Sequence, residues 1–127
     1  MTVERRRLLP ERRGYTKRIV LRHSAGMLKV YVTTSAFLDG GLAELFVKAD
    51  KSGSTISGLL DALSITTSLA LQYGVPLETI VEKWTRMNFA PSGSTDDKDM
   101  PRVSSIVDAI ARWLRRRYLP PEGSGAP

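Results

Sequence analysis

The sequence predicts an α+β fold, in which an antiparallel sheet of three strands, or slightly more, is covered on one face by two or three helices. Two observations predict it. Apolar and polar residues alternate through most of the first 50 residues, and from Ser54 onward apolar residues recur at helical spacing. The 127 residues suffice for one domain with a substantial core and are too few for two. We expect a basic arm over residues 1–14, a single domain over 15–119 and a disordered tail over 120–127.

Three strands follow the arm. The segment YTKRIVLRH alternates, with Ile19 and Leu21 on one face and Arg18 and Val20 on the other. After the turn SAG, the segment MLKVYVTTSAF alternates again, and the hairpin signal LDGG separates it from LAELFVKAD. Because both connections are short, the three strands are predicted to form an antiparallel meander.

Three helices come next. The first begins after Ser54 and ends before Gly74, which suits a C-terminal cap. The second, VPLETIVEKWTRMN, has Pro76 at its first position. The third, SSIVDAIARWLRRRYL, starts with Ser105 and Asp108 in the spacing of a capping box, and FAPSGSTDDKDMPR before it is predicted to be a loop. The apolar stripe of the second helix is formed by Leu77, Ile80, Val81, Trp84 and Met87.

The composition excludes several kinds of chemistry. There is no cysteine, which excludes disulfides, thiolate metal sites and thiol mechanisms and agrees with a cytoplasmic protein. The single histidine, His23, lies in a predicted strand, so neither a transition-metal site nor a Ser-His-acid set is expected. No apolar run is long enough to cross a membrane, and the start lacks a secretory signal. We expect no cofactor and no catalysis by this chain alone.

Positive charge is concentrated at the two ends of the chain. The formal net charge is +6 and the pI is near 10.0. This asymmetry favours a polyanionic or phosphate-bearing partner; the alternatives are solubility, or pairing with acids on a neighbouring subunit. The predicted basic surface consists of Arg5, Arg6, Arg7, Arg12, Arg13, Arg112, Arg115 and Arg116.

The segment KADKSGSTISGLL is the first candidate ligand site. A helix start offers free N–H groups and partial positive charge, which suit an anion, although the Walker order of residues is absent. The alternative is that Ser54 or Thr55 only caps the helix. The candidate ligand-binding residues here are Lys48, Lys51, Ser54, Thr55 and Ser57.

The segment TRMNFAPSGST, with an arginine downstream, is the second candidate. A guanidinium can bind a phosphate or a base edge, and an amide can pair with a base. The alternative is that Met87 and Phe89 close the core while the polar residues finish a helix. The candidate ligand-binding residues here are Arg86, Asn88, Ser92 and Arg102.

Four segments of the chain carry a family resemblance. LPERR, GSTISGLLDALSITTSLALQYGVPLETIVEKW, MNFAPSGST and SIVDAIARWL together resemble the C-terminal domain of adenosylcobalamin-dependent (class II) ribonucleotide reductases, a TSCPD-type domain, over Leu9 to Leu119. The resemblance implies that the catalytic barrel, with its cobalamin and radical cysteine, is absent here. Related domains often carry Ser-Cys-Pro-Asp before the last helix. Here the stretch is Ser105-Ile106-Val107-Asp108, so an inherited redox role is not expected.

We therefore interpret the chain as a stand-alone, non-catalytic relative of that domain that binds a nucleotide or a nucleotide-derived phosphate ligand. A phage-encoded sponge of nucleotide signals is one form of this hypothesis, and a homo-oligomer with sites at subunit junctions is compatible with it. The first alternative is a regulatory subunit that docks on a separate ribonucleotide reductase. The second is a nucleic-acid binder that uses the basic arm and the last helix.

Overall fold

The computed structural model describes residues 3–50 and 53–119, so the predicted tail (residues 120–127) and the candidate residue Lys51 lie outside the described residues. The α+β prediction is confirmed. In chain order the elements are β1 (Thr16–His23), β2 (Gly26–Ala36), β3 (Leu42–Ala49), α1 (Thr55–Gln72), α2 (Leu77–Trp84), β4 (Gly93–Thr95), β5 (Arg102–Val103) and α3 (Ile106–Tyr118).

The five strands form one sheet in the order β3-β2-β1-β4-β5, with every neighbouring pair antiparallel. Strands β1 to β3 form the predicted meander. The prediction of a loop over residues 89–102 was wrong in part, because this segment contains β4 and the start of β5. Strands of three and two residues are too short to show alternation. Gly93 allows β4 to approach β1, since a Cβ at Gly93 would lie 1.9 Å from the Arg22 carbonyl oxygen.

One face of the sheet and the helices enclose the core. The inward side chains of β1 and β2 include Ile19, Leu21, Val30 and Val32, which are fully buried. Both apolar stripes of α3 face the core, and an almost continuous run of its residues is buried. The buried residues of α3 include Ile106, Val107, Ile110, Trp113 and Leu114.

Helix α1 lies against β3 and bonds to its backbone through polar side chains. Ser64, Ser68 and Gln72 recur every four residues and are buried. The Val47 N–H donates to Ser64 Oγ at 2.9 Å, and the Leu45 N–H donates to Ser68 Oγ at 2.9 Å. Ser68 Oγ donates back to the Leu45 carbonyl, and Gln72 Nε2 donates to the Ala43 carbonyl. These bonds explain why polar residues line the buried side of this helix.

Helix α2 is shorter than the sequence predicts. It ends at Trp84, whereas the prediction extended the segment to Asn88. Arg86 has a φ of +66°, which a helix cannot continue through. Its N–H donates to the carboxylate of Asp108 instead, and the stripe residue Met87 is consequently exposed.

The start of α3 departs from a capping box. Ser105 Oγ accepts from the Asp108 N–H at 3.0 Å, as predicted. The Asp108 carboxylate, however, accepts from Ser104 N–H at 2.9 Å and Arg86 N–H at 2.7 Å, rather than from the N–H of the capping serine. Ser105 and Asp108 therefore stabilise the start of α3 and the segment before it. Ile106, which follows the capping serine, is buried in the core.

Candidate ligand-binding sites

The two segments predicted as sites meet at one cleft. Ser54 caps α1 by accepting from the Ser57 N–H at 3.2 Å, and Thr55 is the first helical residue. The next residue, Ile56, lines a cleft of about 550 Å³ together with Ser92. Among the described residues, the cleft lining contains no lysine or arginine. The cleft is therefore poorly suited to hold a phosphate on its own. The lining residues are His23, Ser24, Ala25, Met27, Leu28, Ile56, Ala90, Pro91 and Ser92.

Lys48 is engaged by a carboxylate. Its ammonium group lies 2.8 Å from Asp61 Oδ1 on α1, an exposed ion pair. Such pairs contribute about 0–1 kcal/mol and exchange readily. Lys48 lies on β3 and does not line the cleft at the start of α1.

Of the arginines in the second predicted site, Arg86 contacts the buried carboxylate of Asp108, through its backbone N–H. Besides accepting from the Arg86 N–H, Asp108 Oδ1 accepts from Arg112 Nε at 3.1 Å. The Arg112 Nη1 in turn donates to the Arg102 carbonyl at 3.3 Å. The backbones of Arg86 and Arg102 are therefore linked through Asp108 and Arg112, while the side chains of Arg86, Asn88 and Arg102 belong to exposed residues.

Much of the predicted basic surface is paired within the chain. Arg5 Nε donates to Gln72 Oε1 at 2.7 Å, which holds the arm against the end of α1. Arg6 pairs with Asp39 at 3.1 Å, and Arg12 pairs with Glu44 at 2.6 Å. Arg7, Arg13 and Arg115 are exposed.

Asp97 joins β1, the segment after β4 and α3. Arg116 Nη2 lies 2.7 Å from its carboxylate and Lys17 Nζ lies 2.8 Å from it. Arg116 also pairs with Asp99 at 2.9 Å. The hydrogen bond from Arg116 holds the pKa of Asp97 well below its usual range, and the one from Lys17 adds to this effect. Arg116 therefore links α3 to the segment that follows β4.

A groove of about 900 Å³ lies between the arm, the β2–β3 turn and the end of α3. We call it the arm groove. The Arg117 guanidinium lies 4.1 Å from the centroid of the Tyr15 ring, and the Arg6 guanidinium lies 3.7 Å from that of Phe37. The groove is lined by Leu9, Glu11, Arg12, Arg13, Gly14, Tyr15, Ala36, Phe37, Leu38, Asp39, Gly40, Arg117 and Tyr118.

Tyr118 fixes the inner wall of the arm groove. Its hydroxyl lies 2.7 Å from Thr34 Oγ1, and its ring meets Tyr15 edge to face at 6.2 Å. Burial raises the pKa of the Tyr118 phenol. The sequence predicted Arg12 and Arg13 as basic surface but did not predict Tyr15, Phe37, Arg117 or Tyr118 as their neighbours. The aromatic residues close to arginines at Arg13-Gly14-Tyr15 and Arg117-Tyr118 were the available signal.

A separate surface is exposed and apolar. Leu59 is 66% exposed and Ile65 58%, and Leu69 and Tyr73 follow them along the solvent side of α1 and its end. We call these four residues the apolar α1 face. Asp61 is the one charged residue in α1. Solvent-facing sides of helices are normally polar, so the apolar character of this face is unusual. Within the described ranges, no helix is long and apolar enough to cross a bilayer.

The chain matches the family model of the TSCPD domain over residues 4–118. It is 46% identical over 122 residues to a vitamin B12-dependent ribonucleotide reductase of Streptomyces clavuligerus, a match covering 96% of this chain and 12% of the relative. Reductases with the same description from Agrobacterium fabrum and Bradyrhizobium diazoefficiens are 38% and 35% identical over 117 residues, which is 91% of this chain and 9% of each relative.

No solved structure matches the chain significantly. The chain spans about 12% of the length of its Streptomyces relatives and corresponds to their C-terminal region. The resemblance that the sequence motifs carry is thus confirmed. With 46% identity and a family match over nearly the whole length, the chain belongs to the TSCPD domain family.

Proposed function

We propose that this domain is a non-catalytic binding module that takes up a nucleotide, or a nucleotide-derived phosphate ligand, in the arm groove. One observation carries the proposal: the groove has the volume of a small-molecule site and gathers three guanidinium groups beside aromatic rings. One form of this function is a sponge, a protein that binds nucleotide signals without converting them.

The charges of the groove favour a phosphate. Two carboxylates, Glu11 and Asp39, line the groove with its three arginines. Asp39 is already bonded to the Gly41 N–H and to Arg6, and these bonds lower its pKa. Arg12 is held by Glu44. Within the described part of the chain, the side chains of Arg13 and Arg117 have no carboxylate partner, so both can meet the two charges of a terminal phosphate.

Titration calorimetry of the full chain against mono-, di- and cyclic nucleotides tests the proposal. We expect binding to at least one of them, weakened about tenfold or more by Arg13→Ala or Arg117→Ala, because each removes a charge-assisted hydrogen bond. Arg115→Ala is the matched control, since Arg115 is an exposed arginine of α3 that does not line the groove.

The same titration separates the groove from the other predicted residues. If Arg86→Ala and Arg102→Ala abolish binding while the groove variants leave it intact, the ligand binds at the second predicted site and the groove assignment is wrong. If every nucleotide gives a flat titration while circular dichroism shows a folded protein, the binding function itself is refuted.

The apolar α1 face supports a second candidate function, docking on a vitamin B12-dependent ribonucleotide reductase. In the relatives this domain is a small part of a much longer chain, so a surface that meets the rest of the enzyme is expected. The uncharged face of α1 is suited to such a contact, because hydrophobic interface centres contain few charged residues.

Co-purification with a purified reductase of that type tests this candidate. Ile65→Glu should abolish the association, because it buries a charge in an apolar contact. Leu38→Glu is the control, since Leu38 is exposed in the β2–β3 turn and apart from α1. Equal retention of both variants, or no association of the unchanged chain, would contradict reductase docking.

A further inference from the structure

The side of the sheet opposite the core is covered by none of the described helices, and its strand registers place cations beside aromatic rings. On this side, Tyr31 of β2 lies directly between Arg18 of β1 and Lys48 of β3 in the pairing of the strands. One step along, Phe46 of β3 pairs with Thr33 of β2. These five residues are exposed, and we call them the open sheet face.

The two rings lie on neighbouring strands and on the same side of the sheet. Tyr31 and Phe46 are each 39% exposed, so part of each ring is accessible from solvent. Their positions are diagonal on neighbouring strands, and diagonal pairs lie about 7–8 Å apart. Unstacked bases of a single strand stack on aromatic side chains that a sheet surface presents in this way.

The same side of the sheet carries an excess of positive charge. Three of its cations have exposed acidic partners: Arg22 pairs with Asp96 at 3.3 Å, Lys29 with Asp50 at 3.9 Å and Lys48 with Asp61 at 2.8 Å. Exposed pairs of this kind are weak, so a phosphate can replace the carboxylate.

Two further cations on this side can bind a phosphate without first releasing a carboxylate. Arg18 lies in β1, and Arg102 of β5 pairs with Ser94 of β4, which in turn pairs with Arg22. Among the described residues, neither the Arg18 nor the Arg102 guanidinium has an ion-pair or hydrogen-bond partner. The cations therefore lie in two register rows, Arg102 with Arg22 and Arg18 with Lys48, which are four residues apart along β1.

We propose that the open sheet face binds single-stranded nucleic acid, with bases stacked on Tyr31 and Phe46 and phosphates on the flanking cations. This surface is distinct from the arm groove, so the proposal goes beyond a small nucleotide ligand. It also differs from binding through the arm and the last helix, because the rings lie in β2 and β3.

Fluorescence anisotropy with labelled twelve-nucleotide oligo(dT) and oligo(U) tests the proposal on the full chain. We expect binding at 50 mM salt whose affinity falls as salt rises, with a slope of about −0.7 for each phosphate neutralised. Tyr31→Leu and Phe46→Leu should each weaken binding by about fivefold or more, because leucine keeps the apolar area but offers no ring. Tyr73→Leu, on the exposed end of α1, should have no effect.

Charge variants decide between the two basic surfaces. Arg18→Gln should reduce the salt slope by about 0.7, whereas Arg115→Gln on α3 should leave it unchanged. The opposite pattern would assign binding to the last helix and overturn the proposal. So would a twelve-base-pair duplex that binds as tightly as the single strand, because paired bases cannot reach the rings.

The remaining outcomes are also decisive. Each variant is compared with the unchanged chain by its thermal unfolding midpoint, so that loss of folding is recognised. If Tyr31→Leu or Phe46→Leu unfolds the domain, Tyr31→Phe and Phe46→Tyr keep the rings and should retain binding. If no oligonucleotide binds at 50 mM salt, while Phe46→Leu disrupts an association with a protein, the face is a protein contact and the proposal is wrong.

Discussion

Replacing Asp108 by asparagine should destabilise the domain more than any change at an exposed carboxylate. Asp108 is fully buried and accepts three hydrogen bonds, from Arg86 N–H, Ser104 N–H and Arg112 Nε, at 2.7 to 3.1 Å. Asparagine keeps one acceptor oxygen, so its amide group must face one of these donors. A buried unsatisfied donor costs about 1–3 kcal/mol, and the bonds that remain lose the strength that the charge supplies.

The expected loss in the free energy of unfolding for Asp108→Asn is therefore about 2–4 kcal/mol. In urea, this lowers the unfolding midpoint by about 1–2 M for a domain of this size. Asp99→Asn is the matched control. Asp99 is an exposed carboxylate that pairs with Arg116, and its removal should cost less than about 1 kcal/mol.

Equal midpoints for the two variants would refute this reasoning, because they would show that Asp108 does not organise the segment between α2 and α3. If Asp108→Asn fails to fold, Ser105→Ala tests the same cap with a milder change. Ser105 accepts from the Asp108 N–H, and loss of such a cap costs about 1 kcal/mol.

Three further predictions follow from contacts described above. Ser64→Ala with Ser68→Ala should lower the unfolding midpoint in urea, at about 1–3 kcal/mol for each β3 amide left without a partner. Because its pKa is lowered in the fold, Asp97 stabilises the protein fully above its ordinary value of 3.8 and progressively less below it. Thermal unfolding between pH 5 and pH 2 should therefore be less pH-dependent in Arg116→Gln. Arg86→Val should be about 1–2 kcal/mol less stable than Arg86→Gly in chemical unfolding, because φ is +66° there.

The sequence predicts the elements that are long enough to show a period. Strands β1 to β3 alternate over eight residues or more, and α3 presents two overlapping apolar stripes. Strands β4 and β5 escape prediction because three and two residues cannot establish alternation. The end of α2 could not be predicted either. After the helix ends at Trp84, the Arg86 N–H bonds to Asp108, which lies 22 residues further along the chain.

The candidate sites show the same division. The cap at Ser54 follows from local spacing and is confirmed by its bond to the Ser57 N–H. The arm groove depends on contacts that join distant segments, above all the bond between Thr34 and Tyr118, which are 84 residues apart. A single sequence identifies arginines as cations but does not indicate which carboxylate each will meet. Arg116, for example, is bound by Asp97 and Asp99.

The hydroxyl groups of α1 also limit how this domain can assemble. The outward amides of an edge strand ordinarily invite a strand from another chain, by which sheets extend and fibrils grow. In β3 the outward amides of Leu45 and Val47 are already occupied by serine side chains, and at the opposite edge β5 has only two residues. Both edges are therefore poor templates for an added strand, so we expect partners to contact side chains of the domain rather than extend its sheet.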